Sequence, residues 1–162
     1  ADVYQSVHQA DAARREVDQV LARAAARRGP VDALVLRAQV LKANVLTYQG
    51  QPEAALALAA EVTAPRGDAV SPAEHALYRR MALNAQGNAQ LELNRWADAR
   101  QSFEAALAPV PLTPPLERSD ALAMRFNLNI ALGKLGDWPA LVRLGAPLLA
   151  EAQAHLGPVA SA

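Results

Sequence analysis

The stretch that decides the fold runs from Ala82 to Leu107 and reads ALNAQGNAQLELNRWADARQSFEAAL. Its apolar residues recur every three or four places, and no period-two run of β-branched residues competes, so the pattern is helical. Asn94 turns the chain. Beyond it Trp96, Ala99, Phe103, Ala106 and Leu107 share one stripe of a second helix, which Pro109 and Pro111 stop because proline lacks the amide hydrogen a helix interior needs.

Upstream, Ser71-Pro72-Ala73-Glu74 is a capping box, in which the serine side chain accepts from the Glu74 amide while Glu74 reaches back to the Ser71 amide. A long helix is expected from there to about Leu93. Further back, a helix over 31–49 ends at Gly50, which can take the left-handed conformation that closes a helix, and Pro52 opens the next, running to about Ala64. The first helix spans about 2–28, with Asp11 as a point where it breaks, and ends at Gly29-Pro30. Downstream, Thr113-Pro114-Pro115 caps a helix reaching Leu135 and Gly136. Asp137 caps a last one, in which Gly145 and the interior Pro147 predict a kink or break.

The class is therefore all α, and composition agrees. The apolar fraction is 52% with only 4% aromatic, so much of it is alanine, the strongest helix former. A chain of 162 residues can bury a real core. Lysine and arginine balance aspartate and glutamate at 16 each, which leaves no overall positive field to gather phosphates and points away from nucleic acid. Arg14, Arg15, Arg23, Arg27 and Arg28 are interleaved with Glu16 and Asp18 and read as a solvated helix face. Without cysteine there is no disulfide, thiolate metal site or thiol nucleophile, and both reducing and oxidising compartments stay open. No apolar run approaches the roughly 20 residues that cross a bilayer, so membrane insertion is not expected. Arginine outnumbers lysine 14 to 2, a composition that fits a GC-rich bacterial genome. The chain starts without methionine and reads as either a processed protein or, the favoured reading, a segment of a longer one.

The turn repeats. Tyr48-Gln49-Gly50-Gln51-Pro52, Leu93-Asn94-Arg95-Trp96 and Leu135-Gly136-Asp137-Trp138 follow one another at 44 and then 42 residues. A hairpin recurring at a fixed period marks a stack in which each unit covers the apolar face of the next. The Ala82 to Leu107 stretch resembles the tetratricopeptide repeat, whose small residues at three matched places are met here by Gly87, Ala99 and Ala106. The preceding hairpin has Ala43, Ala55 and Val62 there, and the last has Asn129, Leu141 and Leu148. The resemblance covers about 31–156 and implies a right-handed α-α superhelix of about three hairpins plus an N-terminal helix. Its divisions are an N-terminal helix 1–29, hairpins over 30–69, 70–112 and 113–157, and a tail 158–162. A HEAT-like hairpin, with a period of about 40–47, is the rival; the excess over the tetratricopeptide period of roughly 34 lies between the hairpins, and within them the spacing matches.

The resemblance also implies a site. First helices of such hairpins line a concave groove, and in the middle hairpin the matched positions are Met81, Asn84, Asn88, Leu91 and Glu92. Asn44 of the preceding hairpin and Asn127 of the following one extend a row of asparagines, whose side chains offer acceptor and donors in one plane to a peptide backbone. Arg37, Thr47 and Tyr48 share that face, with Arg37 suited to an acidic or C-terminal carboxylate. Trp96 and Trp138 read as packing residues, and His8, His75 and His155 as surface residues. No phosphate-cradling loop, ligand-spaced metal pair or activated nucleophile stands out, so no enzyme and no cofactor are expected. The expected function is binding of a protein or peptide ligand, with self-association into a homo-oligomer or scaffold, or service as the regulatory segment of a bacterial regulator or signalling protein, as alternatives.

Overall fold

Three turns between helices are built alike, hydrogen bond for hydrogen bond. The amides of Gly50, Asn94 and Gly136 donate to the carbonyls of Thr47, Leu91 and Gly133, and those of Gln51, Arg95 and Asp137 to Leu46, Gln90 and Leu132. This double closure satisfies carbonyls that a helix end would leave orphaned. It demands a left-handed residue at its centre, and φ is 71°, 57° and 70° at Gly50, Asn94 and Gly136. Glycine adopts that conformation freely, and asparagine is the side chain that best tolerates it.

The computed structural model describes residues 2–26, 33–64, 70–109 and 118–156. Among them are seven helices and no strand: α1 (Asp2–Ala26), α2 (Ala33–Tyr48), α3 (Pro52–Thr63), α4 (Pro72–Glu92), α5 (Trp96–Leu107), α6 (Arg118–Leu135) and α7 (Trp138–Leu156). The repeated turns join α2 to α3, α4 to α5 and α6 to α7. Among the described residues, each helix packs against its neighbours in the chain, α4 also touches α2 and α6, and no helix reaches one further away. Contacts are thus passed along the chain, with α4 in the middle.

The capping box forms as expected, with the Glu74 amide donating to Ser71 Oγ at 3.2 Å and the Ser71 amide to Glu74 Oε2 at 3.3 Å. Asp137 Oδ1 likewise accepts from the Ala140 amide at 3.1 Å and caps α7. The Gly29-Pro30 stop and the Thr113-Pro114-Pro115 cap lie outside the described residues. Two expected breaks do not occur. Helix α1 passes through Asp11 unbroken, because the Asp11 carboxylate accepts from Gln49 Nε2 at 2.7 Å instead of turning back on its own backbone. Arg14 donates to the same Gln49 side chain at 2.9 Å, so this arginine ties α1 to the end of α2 and is not merely solvated. Helix α7 also continues through Pro147. Arg143, Ala146 and Pro147 are exposed there, and the Arg143 carbonyl that proline leaves without a donor can turn to water.

Helix spacing is set by small side chains. Ala43, Ala55, Ala59, Ala82, Ala85 and Ala89 are buried with Leu36, Val40, Leu46 and Val62 between α2, α3 and α4. On the other side of α4, Phe103 is buried with Ala99, Leu128, Ala131 and Leu132, and Leu83, Ala106 and Met124 form a third cluster. The tightest contact joins α4 to α5. A Cβ placed on Gly87 would lie 2.5 Å from Phe103 Cε1 and 2.6 Å from Cζ, well inside van der Waals contact. Glycine within a helix costs about 1 kcal/mol relative to alanine, so the local preference of α4 is overridden by this packing.

Two predictions follow from the packing and the cap. Phe103 is fully buried and a Cβ on Gly87 would strike its ring, so Gly87→Ala should lower stability in urea denaturation. Overpacking of about 1–3 kcal/mol exceeds the gain of about 1 kcal/mol in helix propensity. Adding Phe103→Val should make the double variant more stable than the summed single losses, and a Gly87→Ala chain more stable than wild type would refute the contact. Ser71→Ala should cost about 1 kcal/mol in the same assay.

Candidate functional site

The α2, α4 and α6 layer carries every residue that the asparagine row proposes, and the structure brings some of them into direct contact. Asn127 Nδ2 on α6 donates to Asn88 Oδ1 on α4 at 2.9 Å, joining the two helices across their exposed edge. One turn before Asn88, Asn84 is half-buried, and its Oδ1 is shielded from solvent with no donor among the described residues. An amide acceptor left in that state costs on the order of 1–3 kcal/mol. Asn84, Asn88 and Leu91 are spaced four and three apart, so they share one face of α4.

On α2 the spacing four, three, four places Arg37, Leu41, Asn44 and Tyr48 along one stripe. Arg37 is exposed and forms no ion pair with another described residue. Tyr48 is 87% exposed, Asn44 is half-buried, and Leu41 is exposed. Leu91 differs from the others in leaning on the Ala99, Phe103 and Leu128 cluster, so only its outer edge is open. Met81 is half-buried against the cluster between α2, α3 and α4, and Thr47 Oγ1 donates to the Ala43 carbonyl of its own helix. Glu92 is exposed at the end of α4.

Charge pairs tie the layer to its neighbours: Lys42 on α2 reaches Asp18 on α1 at 2.5 Å, and Arg100 on α5 donates to Glu104 and Asp137 at 2.8 Å each. The hydrogen bond to Glu104 and its charge, followed by those of Asp137, raise the Arg100 pKa above its ordinary value. That guanidinium therefore remains a cationic tie from α5 to the start of α7. Among the described residues there is no group of three histidine, cysteine or carboxylate side chains able to hold a metal ion. His75 is half-buried, with its Nε2 shielded and without a partner among the described residues; the side chains of His8 and His155 lie outside the described residues. No helix of the described residues is long and apolar enough to cross a membrane.

No family model, curated protein or solved structure matches the chain.

The two tryptophans behave differently. Trp96 is half-buried under Lys134, whose Nζ lies 5.6 Å from the ring centre, while Trp138 is 62% exposed. Phe126, Ile130 and Val142 are exposed near it in the chain, and sequence reasoning did not single them out. Their signal was present: Phe126 and Ile130 stand 42 residues after Asn84 and Asn88, at equivalent places of the repeat.

Because Asn88 and Asn127 sit at a partly exposed junction, a double-mutant cycle with Asn88→Ala and Asn127→Ala should yield a coupling energy of about 0.5–1.5 kcal/mol in chemical denaturation. A coupling indistinguishable from zero would show that the pair does not hold α4 to α6.

Proposed function

We propose that the chain is a protein-interaction module of the tetratricopeptide-like kind, which takes an extended peptide along the face shared by α2, α4 and α6. The observation that carries this reading is the half-buried Asn88 and Asn127 pair on α4 and α6, which leaves the Asn127 Oδ1 acceptor and the Asn88 Nδ2 donor without a partner among the described residues. An extended peptide offers free amide hydrogens for such an acceptor. A helical ligand does not, since its amides are used internally. The Asn88 amide group and the Asn127 carbonyl keep unused capacity after their mutual bond, so the two side chains together present a donor and an acceptor to successive peptide units.

The repeat supports the same reading from a second direction. The three identical turns and the passage of contacts from each helix pair to the next are what a right-handed stack of hairpins needs. Gly87 against Phe103, with Ala99 and Ala106 fully buried, gives the small-residue positions the role they have in that repeat. Arg37 at one end of the α2 stripe provides a guanidinium, without an ion pair among the described residues, for an acidic side chain or terminal carboxylate of the ligand. Leu41 and Tyr48 offer apolar contact beside it.

Selection of a random peptide library on the immobilised chain should enrich extended sequences. The Asn44→Ala, Asn88→Ala, Asn127→Ala triple variant should lose that enrichment while its far-ultraviolet circular dichroism stays helical. Equal capture by the triple variant would remove the asparagine row from the mechanism.

A further inference from the structure

The turns at Gly50 and Asn94 are built alike, so residues 44 apart occupy equivalent places on α3 and α5. Leu56 and Arg100 are such a pair. Leu56 is half-buried against the cluster between α2, α3 and α4, and so helps join the first helix pair to the second. Arg100 reaches the third pair through an ion pair instead, its Nη1 donating to Asp137 Oδ2 at 2.8 Å. The junction between α4–α5 and α6–α7 thus holds a charge at the place where the junction before it holds a leucine.

Both partners are fixed before they meet. The Asp137 amide donates to the Leu132 carbonyl at 3.0 Å, and its Oδ1 accepts from the Ala140 amide at 3.1 Å. Arg100 Nε donates to Glu104 Oε1 one turn along α5 at 2.8 Å, which orients the guanidinium. Exposed ion pairs contribute little in large part because ordering two long side chains offsets their attraction. Here a short, capped carboxylate and an oriented guanidinium have little freedom left to lose. Both side chains still meet water, at 34% and 32% exposure, so dissolved salt reaches the pair. One turn earlier on α5, Trp96 lies under Lys134, and the start of α5 therefore grips the α6–α7 turn at two neighbouring points.

Helix α6 connects that grip to the groove. Asn127 precedes Lys134 by seven residues, about 10 Å along the axis, and donates to Asn88 on α4 at 2.9 Å. Ala99, Phe103, Leu128, Ala131 and Leu132 supply apolar adhesion across the same junction, but such contacts are not directional. A hydrogen bond weakens steeply once its angle falls below about 120°, so a small tilt of α6 is enough to part the two amides. We infer that Arg100 and Asp137 are positioning residues for the groove: their ion pair sets α6 against α4 so that Asn127 meets Asn88, and it makes this junction, unlike the leucine-packed one before it, responsive to ionic strength. The consequence for ligand affinity rests on the peptide-binding reading, whereas the coupling between the ion pair and the asparagine pair does not.

The Asn127 side-chain amide in proton–nitrogen NMR spectra of the intact chain reads that coupling, with its signal identified by its loss in Asn127→Ala. The proton donated to Asn88 should resonate downfield at about 0.05 M salt and move toward the position of a solvated amide at about 0.5 M, as screening shortens the reach of the ion pair. Asp137→Asn removes the charge while its side-chain oxygen still caps α7. It should show the solvated position at both salt concentrations, and so should Arg100→Leu. A signal indifferent to salt and to both variants would overturn the inference. A peptide enriched on the wild-type chain should bind Asp137→Asn about fivefold or more weakly, although Asp137 lies outside the groove, and equal affinity would overturn the positioning role. Failure to enrich any peptide would reject the groove alone, and the Asn127 signal would then decide the coupling by itself.

Discussion

The contact between the bare backbone of Gly87 and the ring of Phe103 is the constraint on which the middle of the molecule depends. It lets α5 lie against α4 closely enough to bury Ala99 and Ala106 completely. With α4 pinned on that side, its opposite faces are free to bury Ala82, Ala85 and Ala89 against α2 and α3. Alanine and glycine contribute little apolar area each, so the core gains stability by bringing helices together and gathering many short-range contacts. The few large buried side chains, Phe103, Leu36, Val40 and Val62, fill what remains.

Between helix pairs the joints are partly polar. Asn88 with Asn127, Arg100 with Asp137, and Trp96 under Lys134 connect α4–α5 to α6–α7, while Asp11, Arg14 and Gln49 fasten α1 to the end of α2. Asp137 serves twice, capping α7 with one oxygen and holding Arg100 with the other. Such bonds contribute modestly to stability in partly exposed places, but they fix how one pair is set against the next, since a directional bond tolerates less sliding than an apolar contact. Function is proposed for the same layer because the Asn88 and Asn127 pair retains a donor and an acceptor that this network does not use.

Much of the site was legible as a spacing and not as a geometry. Asn84, Asn88 and Leu91 are recognisable on one face from the sequence alone, yet only packing reveals that Leu91 is spent on the core while Asn84 is left unpartnered. The Asn88 and Asn127 pairing could not be read, because it depends on how far α6 is staggered along α4. The exposed quartet of Phe126, Ile130, Trp138 and Val142 was missed for the opposite reason. An apolar residue on a helical stripe reads as core, and whether anything covers it is not a property of its own helix.

The sequence by itself determined the helices, their order and the turns that join them, since these follow from interactions within a few residues. Left-handed positions at Gly50, Asn94 and Gly136, the Ser71 and Glu74 cap, and the Asp137 cap are all local chemistry. Tertiary structure decided what local preference could not: that Asp11 and Pro147 interrupt nothing, that Gly87 is required for a ring from the next helix, and that Trp96 is covered while Trp138 is open. Each of these outcomes depends on atoms distant in the chain. A partner such as Gln49 for Asp11, or Lys134 for Trp96, acts only once the helices have been brought side by side.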